Sequence, residues 1–200
     1  MKKILLLLAT ALLMQATTAQ VLKPEAKAAA QADDFNTAYL NFCIKHLPNL
    51  NDLRKKLEDA PQLPVKRAEY FLRGQDGSAW AVPTPHNDTL ILAIPAGKNI
   101  CTLYARHADI VRVEAAFTTI GNTTPDSATG EKIRDEHTTD KAGHSSHTIA
   151  YQWQLPDTGR KMLISLTTAP DSDTQIDIYE AGSAHLVAHG YRQYETSAWR

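Results

Sequence analysis

Three histidines stand close together late in the chain, His137, His144 and His147, with Asp135, Glu136 and Asp140 among them. Neutral imidazoles with a neighbouring carboxylate form a donor set that suits zinc or copper. The spacing fits no familiar metal template, such as two histidines four residues apart on one helix face with a glutamate between them. The surrounding residues 121–146 are polar and lack an apolar period, so they read as a long loop in which ligands are poorly preorganised. A solvated loop that is merely rich in histidine explains the same residues, and no resident cofactor is expected.

A second grouping is Tyr104, Arg106, His107 and Asp109, placed where a strand should meet the following helix. A histidine beside an arginine and an aspartate can move a proton. The plainer account is structural: Asp109 caps the helix, Arg106 pairs with a nearby acid, and Glu114 completes a surface ion network. Nucleophile motifs are missing. Gly182-Ser183 and Gly143-His144-Ser145 are the nearest fragments to a Gly-x-Ser-x-Gly elbow, and there is no Gly-rich phosphate loop. No catalytic residue is assigned from the sequence.

These residues need elements to position them. Residues 33–47 carry Phe35, Tyr39, Phe42, Cys43 and Leu47 at helical spacing, with Asp33 and Asp34 as cap and first-turn acids, and Pro48 as the stop. Leu50, Leu53 and Leu57 make a short second helix capped by Asn51. A third runs from Pro64 to a stop at Gly74. Strands are expected over 78–82, 89–94 and 99–106, then a helix from Asp109 through Ile120. Further strands follow over 147–155, 160–168 and 175–179. Trp80 and Trp153, mid-strand among apolar residues, read as core rather than as a ligand-stacking platform. The expected fold is α+β: one antiparallel sheet of about six strands with three or four helices packed on one face.

The start of the chain sets the compartment. Met1-Lys2-Lys3, an apolar run from Ile4 to Met14 and small residues up to Ala19 read as a cleavable secretory signal peptide over 1–19. The run is too short for a membrane span. A flexible leader is expected over 20–32, a single domain over 33–182 with the His-rich loop at 121–146, and a C-terminal tail over 183–200. No cysteine stands at the cleavage point, so lipid attachment is not expected. Cys43 and Cys101, the only cysteines, most simply pair in an oxidising compartment; two buried thiols or a metal pair are the alternatives. The formal net charge of −1, without a basic stripe, argues against nucleic acid and against purely electrostatic membrane attachment.

Several runs carry a resemblance. They are Leu63-Pro64 with Ala68, Phe71-Leu72-Arg73-Gly74, Gly77-Ser78-Ala79-Trp80-Ala81-Val82-Pro83, and Asn99-Ile100-Cys101-Thr102-Leu103-Tyr104-Ala105-Arg106. Glu114, Phe117, Met162-Leu163-Ile164 and Leu166-Thr167-Thr168 extend them. Together the chain resembles a family of small exported periplasmic proteins and lipoproteins of Gram-negative bacteria, over roughly Phe35 to Tyr179. The resemblance implies a periplasmic location, a Cys43–Cys101 pair and no catalytic residues to transfer; the His-rich stretch is not part of the pattern. The expected function is that of a soluble periplasmic accessory or binding protein whose partner is another envelope protein. The alternative is a small periplasmic hydrolase, metal-assisted through the His-rich loop or using His107. Oligomeric state is not legible in the sequence.

Overall fold

A computed structural model describes residues 23–86, 89–124, 128–141, 143–155, 160–170 and, for the backbone, 193–199. The signal peptide, the turn at 156–159, the strand expected over 175–179 and most of the C-terminal tail lie outside these residues. Four α-helices are described: α1 Pro24–Ala38, α2 Leu50–Lys56, α3 Val65–Leu72 and α4 Ile110–Asn122. The strands are β1 Gly77–Pro83, β2 Thr89–Pro95, β3 Thr102–Ala105, β4 Thr129–Thr139, β5 Ser145–Gln154, β6 Lys161–Ala169 and β7 Gln193–Trp199.

The class is α+β, but the sheet differs from the antiparallel one expected. Two three-stranded antiparallel units, β1-β2-β3 and β6-β5-β4, flank β7, which runs parallel to both β3 and β6. A parallel partner drawn from the far end of the chain leaves no local signal, because its pairing is set by long-range contacts.

The helices also cover both faces, not one. Alternation along β1 and β2 sends Trp80, Leu90, Leu92 and Ile94 to the main core beneath α1 and α4, and Ala79 and Ala93 to a smaller cluster beneath α3. The main core carries an aromatic ladder: Phe35 stacks on Tyr39, Tyr39 meets Phe117, and Phe117 meets Tyr151, with ring centroids 6.1–6.5 Å apart. Gly121, near the end of α4, is a close approach. A Cβ there would overlap the buried Tyr151 ring, and the Gly121 carbonyl accepts a hydrogen bond from Trp153 Nε1 at 2.9 Å.

Two segments correct the sequence reading. Most of the expected leader is the first half of α1, with Gln31 and Ala32 buried. Alanine-rich sequence has high helix propensity, Pro24 suits the first helical position, and Glu25 complements the dipole. Asp33 and Asp34 are therefore mid-helix, not a cap. Asp33 takes a bidentate contact from Arg112 at 2.7 Å and Asp34 meets His86 at 2.9 Å. The expected polar loop at 121–146 is largely a hairpin of β4 and β5. β4 is an edge strand exposed over nearly its whole length, so it carries no apolar alternation to read.

A π-helical segment, Tyr39–Ile44, continues α1 and carries Cys43 into a disulfide with Cys101, their Cα atoms 5.6 Å apart. The bond ties this segment to the residue just before β3. Among the described residues no helix is long and apolar enough to cross a membrane.

Candidate functional site

Two polar regions stand out, one on each half of the sheet. The first is built on β4, β5 and α4. Cross-strand register places His137 opposite His147 and Asp135 opposite Ile149, and the two imidazole rings stack 3.9 Å apart. A bulge between Lys132 and Arg134 shifts the alternation, so Lys132 and Asp135 share a face and pair at 2.8 Å. His147 Nε2 lies 2.8 Å from Asp135 Oδ1. On the other side of the ring, Nδ1 faces Glu114 Oε1 at 3.0 Å, an ion-pair contact rather than a straight hydrogen bond. Thr168 Oγ1 donates to the same Glu114 oxygen. Glu114 thus belongs to this network, not to the surface network expected around Arg106.

Burial pushes the His147 imidazole down, but Asp135 and Glu114 outweigh it and hold it above its ordinary value. The Lys132 ammonium, and after it His147, hold the exposed Asp135 carboxyl at about 2. Carboxylates at both nitrogens favour the charged form of the ring. Through these two contacts His147 bridges α4, which carries Glu114, and β4, which carries Asp135. His144 is turned away to Asp140, which it meets at 3.0 Å at the hairpin tip. The three histidines and their acidic neighbours form no group of three or more metal donors among the described residues.

The grouping at Tyr104, Arg106, His107 and Asp109 is not brought together. Tyr104 points to the α3 face, where its hydroxyl donates to the Phe71 carbonyl at 2.9 Å. His107 is an exposed turn residue with φ of 62°. Asp109 caps α4 by accepting from the Arg112 amide at 3.0 Å, which is the structural account given above.

The second region was not singled out by sequence reasoning. A cleft of about 670 Å³ opens between α2, the start of β1 and the connection from β2 to β3. Gly77 admits this connection closely, since a Cβ there would lie 2.6 Å from the Ile94 carbonyl oxygen. Asn49 caps α2, accepting from the Asn51 amide at 3.2 Å, which presents Asn51, Arg54, Lys55 and Glu58 to the cleft. The Arg54 guanidinium donates to Asn51 Oδ1 and the Pro95 carbonyl, each at 2.9 Å. Lys98 Nζ donates to Gln75 Oε1 at 2.6 Å. Trp80 lines the cleft, and its Nε1 is buried with no acceptor among the described residues. Burying an N–H unpaired costs about 1–3 kcal/mol. The lining includes no histidine, cysteine or aspartate; its one carboxylate is Glu58.

No known protein family model, curated protein or solved structure matches this chain.

Proposed function

We propose that this chain is an exported periplasmic accessory or binding protein that acts on another component of the cell envelope and catalyses no reaction. The observation that carries this reading is the composition of the cleft. Its side chains donate hydrogen bonds, carry mainly positive charge and offer an indole, the makeup of a site that holds a ligand. A volume of about 670 Å³ falls within the range of sites that hold a ligand or the side chains of a partner. Asp135 and Glu114 engage both nitrogens of His147, a bridge between β4 and α4 that accounts for the ring without catalysis. Export is supported by the basic and apolar start of the chain and by the Cys43–Cys101 bond, which an oxidising compartment permits.

The test is crosslinking in envelope extract, with capture and mass spectrometry, on the wild-type protein and on Ser78→Trp, which fills the cleft. The expected result is a stoichiometric partner held by the wild type and lost from the variant. A hydrolytic activity towards envelope substrates that disappears in His147→Gln would overturn the reading.

A further inference from the structure

The cleft carries an imbalance of charge. Arg54, Lys55 and Lys98 line it together with one carboxylate, Glu58. Arg54 and Lys98 spend their hydrogen bonds on carbonyl and amide oxygens, and among the described residues no acid pairs with any of the three cations. Elsewhere the chain does otherwise. Arg112, Lys132 and Arg134 each meet a carboxylate at 2.7–2.8 Å. Arg54 and Lys98 are thus held in place by neutral oxygens, and three cations face one carboxylate in the cleft of a chain whose formal net charge is −1. Trp80 adds an independent observation. It is 5 % exposed, lines the cleft, and buries an N–H that has no acceptor among the described residues. A rim of cations beside an indole face calls for a ligand that is anionic and carries an apolar body.

Resting on the binding reading above, we infer that the cleft takes an organic anion. The charge of its carboxylate, sulfonate or phosphate group faces Arg54, Lys55 and Lys98. The indole supplies apolar surface for the body of the ligand.

The test uses the purified, disulfide-bonded protein and two fluorescent probes with the same rings, the anion 1-anilinonaphthalene-8-sulfonate and the uncharged N-phenyl-1-naphthylamine. The expected result is saturable binding of one sulfonate probe per chain. It weakens about tenfold in Lys55→Glu/Lys98→Glu, weakens with added salt, and is matched by poor binding of the uncharged probe. The melting temperature of the variant should match that of the wild type. Displacement by hexaglutamate but not by N-acetylglutamate at equal carboxylate would identify an acidic peptide as the source of the anion; equal displacement would identify a free small molecule. Sulfonate binding that ignores both charge reversals, or no binding at all, overturns the anion site. Equal binding of the uncharged probe overturns it too, while a partner lost from Ser78→Trp would still uphold the accessory reading.

Discussion

Trp80, on the edge strand β1, and Trp153, on β5 inside the other half of the sheet, both face the main core, and their indoles meet opposite fates. Trp153 is 1 % exposed and donates to the Gly121 carbonyl, inside a core closed by α4. Trp80 is nearly as buried, and its N–H finds no acceptor among the described residues. The charged groups follow the same division. Around His147, Lys132 and the ring itself meet carboxylates, whereas in the cleft Arg54 and Lys98 meet neutral oxygens. Polar groups that satisfy one another hold a fold together; polar groups left open on a concave surface are free to hold something else. The half richer in histidine is thus paired internally, and the other half carries the cations on which the proposed binding rests.

The largest effect should come from the covalent tie on the cleft half. Cys43→Ser with Cys101→Ser opens a loop of sequence separation 58 and should cost about 4 kcal/mol in the chain-entropy account, read from urea unfolding. Cys101 lies two residues beyond the cleft residue Asn99, so the loss should not be uniform. Amide exchange should rise first in β2 and β3 and later in β5 and β6. An unchanged unfolding midpoint would break the comparison, since the cleft half would then need no staple.

The two tryptophans test the contrast directly. Trp153→Phe removes a buried hydrogen bond, strands the Gly121 carbonyl and leaves a small cavity, at a cost of about 2–3 kcal/mol. Trp80→Phe removes an N–H that makes no bond with the described residues, which offsets part of its own cavity, and should cost about 1–2 kcal/mol less. Equal costs in urea unfolding would mean that the Trp80 N–H is satisfied in the free protein, and the two halves would no longer differ.

How far this was legible in the sequence depends on what each element needed from its surroundings. β1, β2, β5, β6 and the Asp109-capped α4 bury an apolar face, and alternation or helical spacing showed them. The first half of α1 read as a leader because alanines bury too little surface to mark a face, and β4 as a loop because an exposed edge strand has none to mark. The histidines were conspicuous in composition, yet their partners were not. Glu114 is 33 residues from His147 in the chain, and Lys132 reaches Asp135 only through a bulge. The cleft left still less trace. Its walls come from three separated segments, and Trp80 read as a core residue, which it is; an unpaired N–H is a property of the assembled surroundings.

The smallest effect expected is the dependence of stability on pH through two histidines. His147 is held above its ordinary value, so the stability it contributes is fully present below about 6.5, its unfolded value, and is lost as pH rises through the folded value. His46 is pushed down by burial, with Lys56 and Lys45 adding to it, so its contribution is present above about 6.5 and is lost as pH falls through the folded value. Together the two groups place a shallow maximum near pH 6.5, each limb under about 1 kcal/mol for a partly exposed pair. Glu114→Gln removes one of the two carboxylates that hold the His147 ring and should flatten the alkaline limb alone, leaving the acid limb to His46. Urea midpoints from pH 5 to 9 with NMR titration of the imidazoles would show it. An alkaline limb unchanged in Glu114→Gln would mean that His147 does not bridge α4 to β4 as a cation, and would return its ring to the candidates for proton transfer.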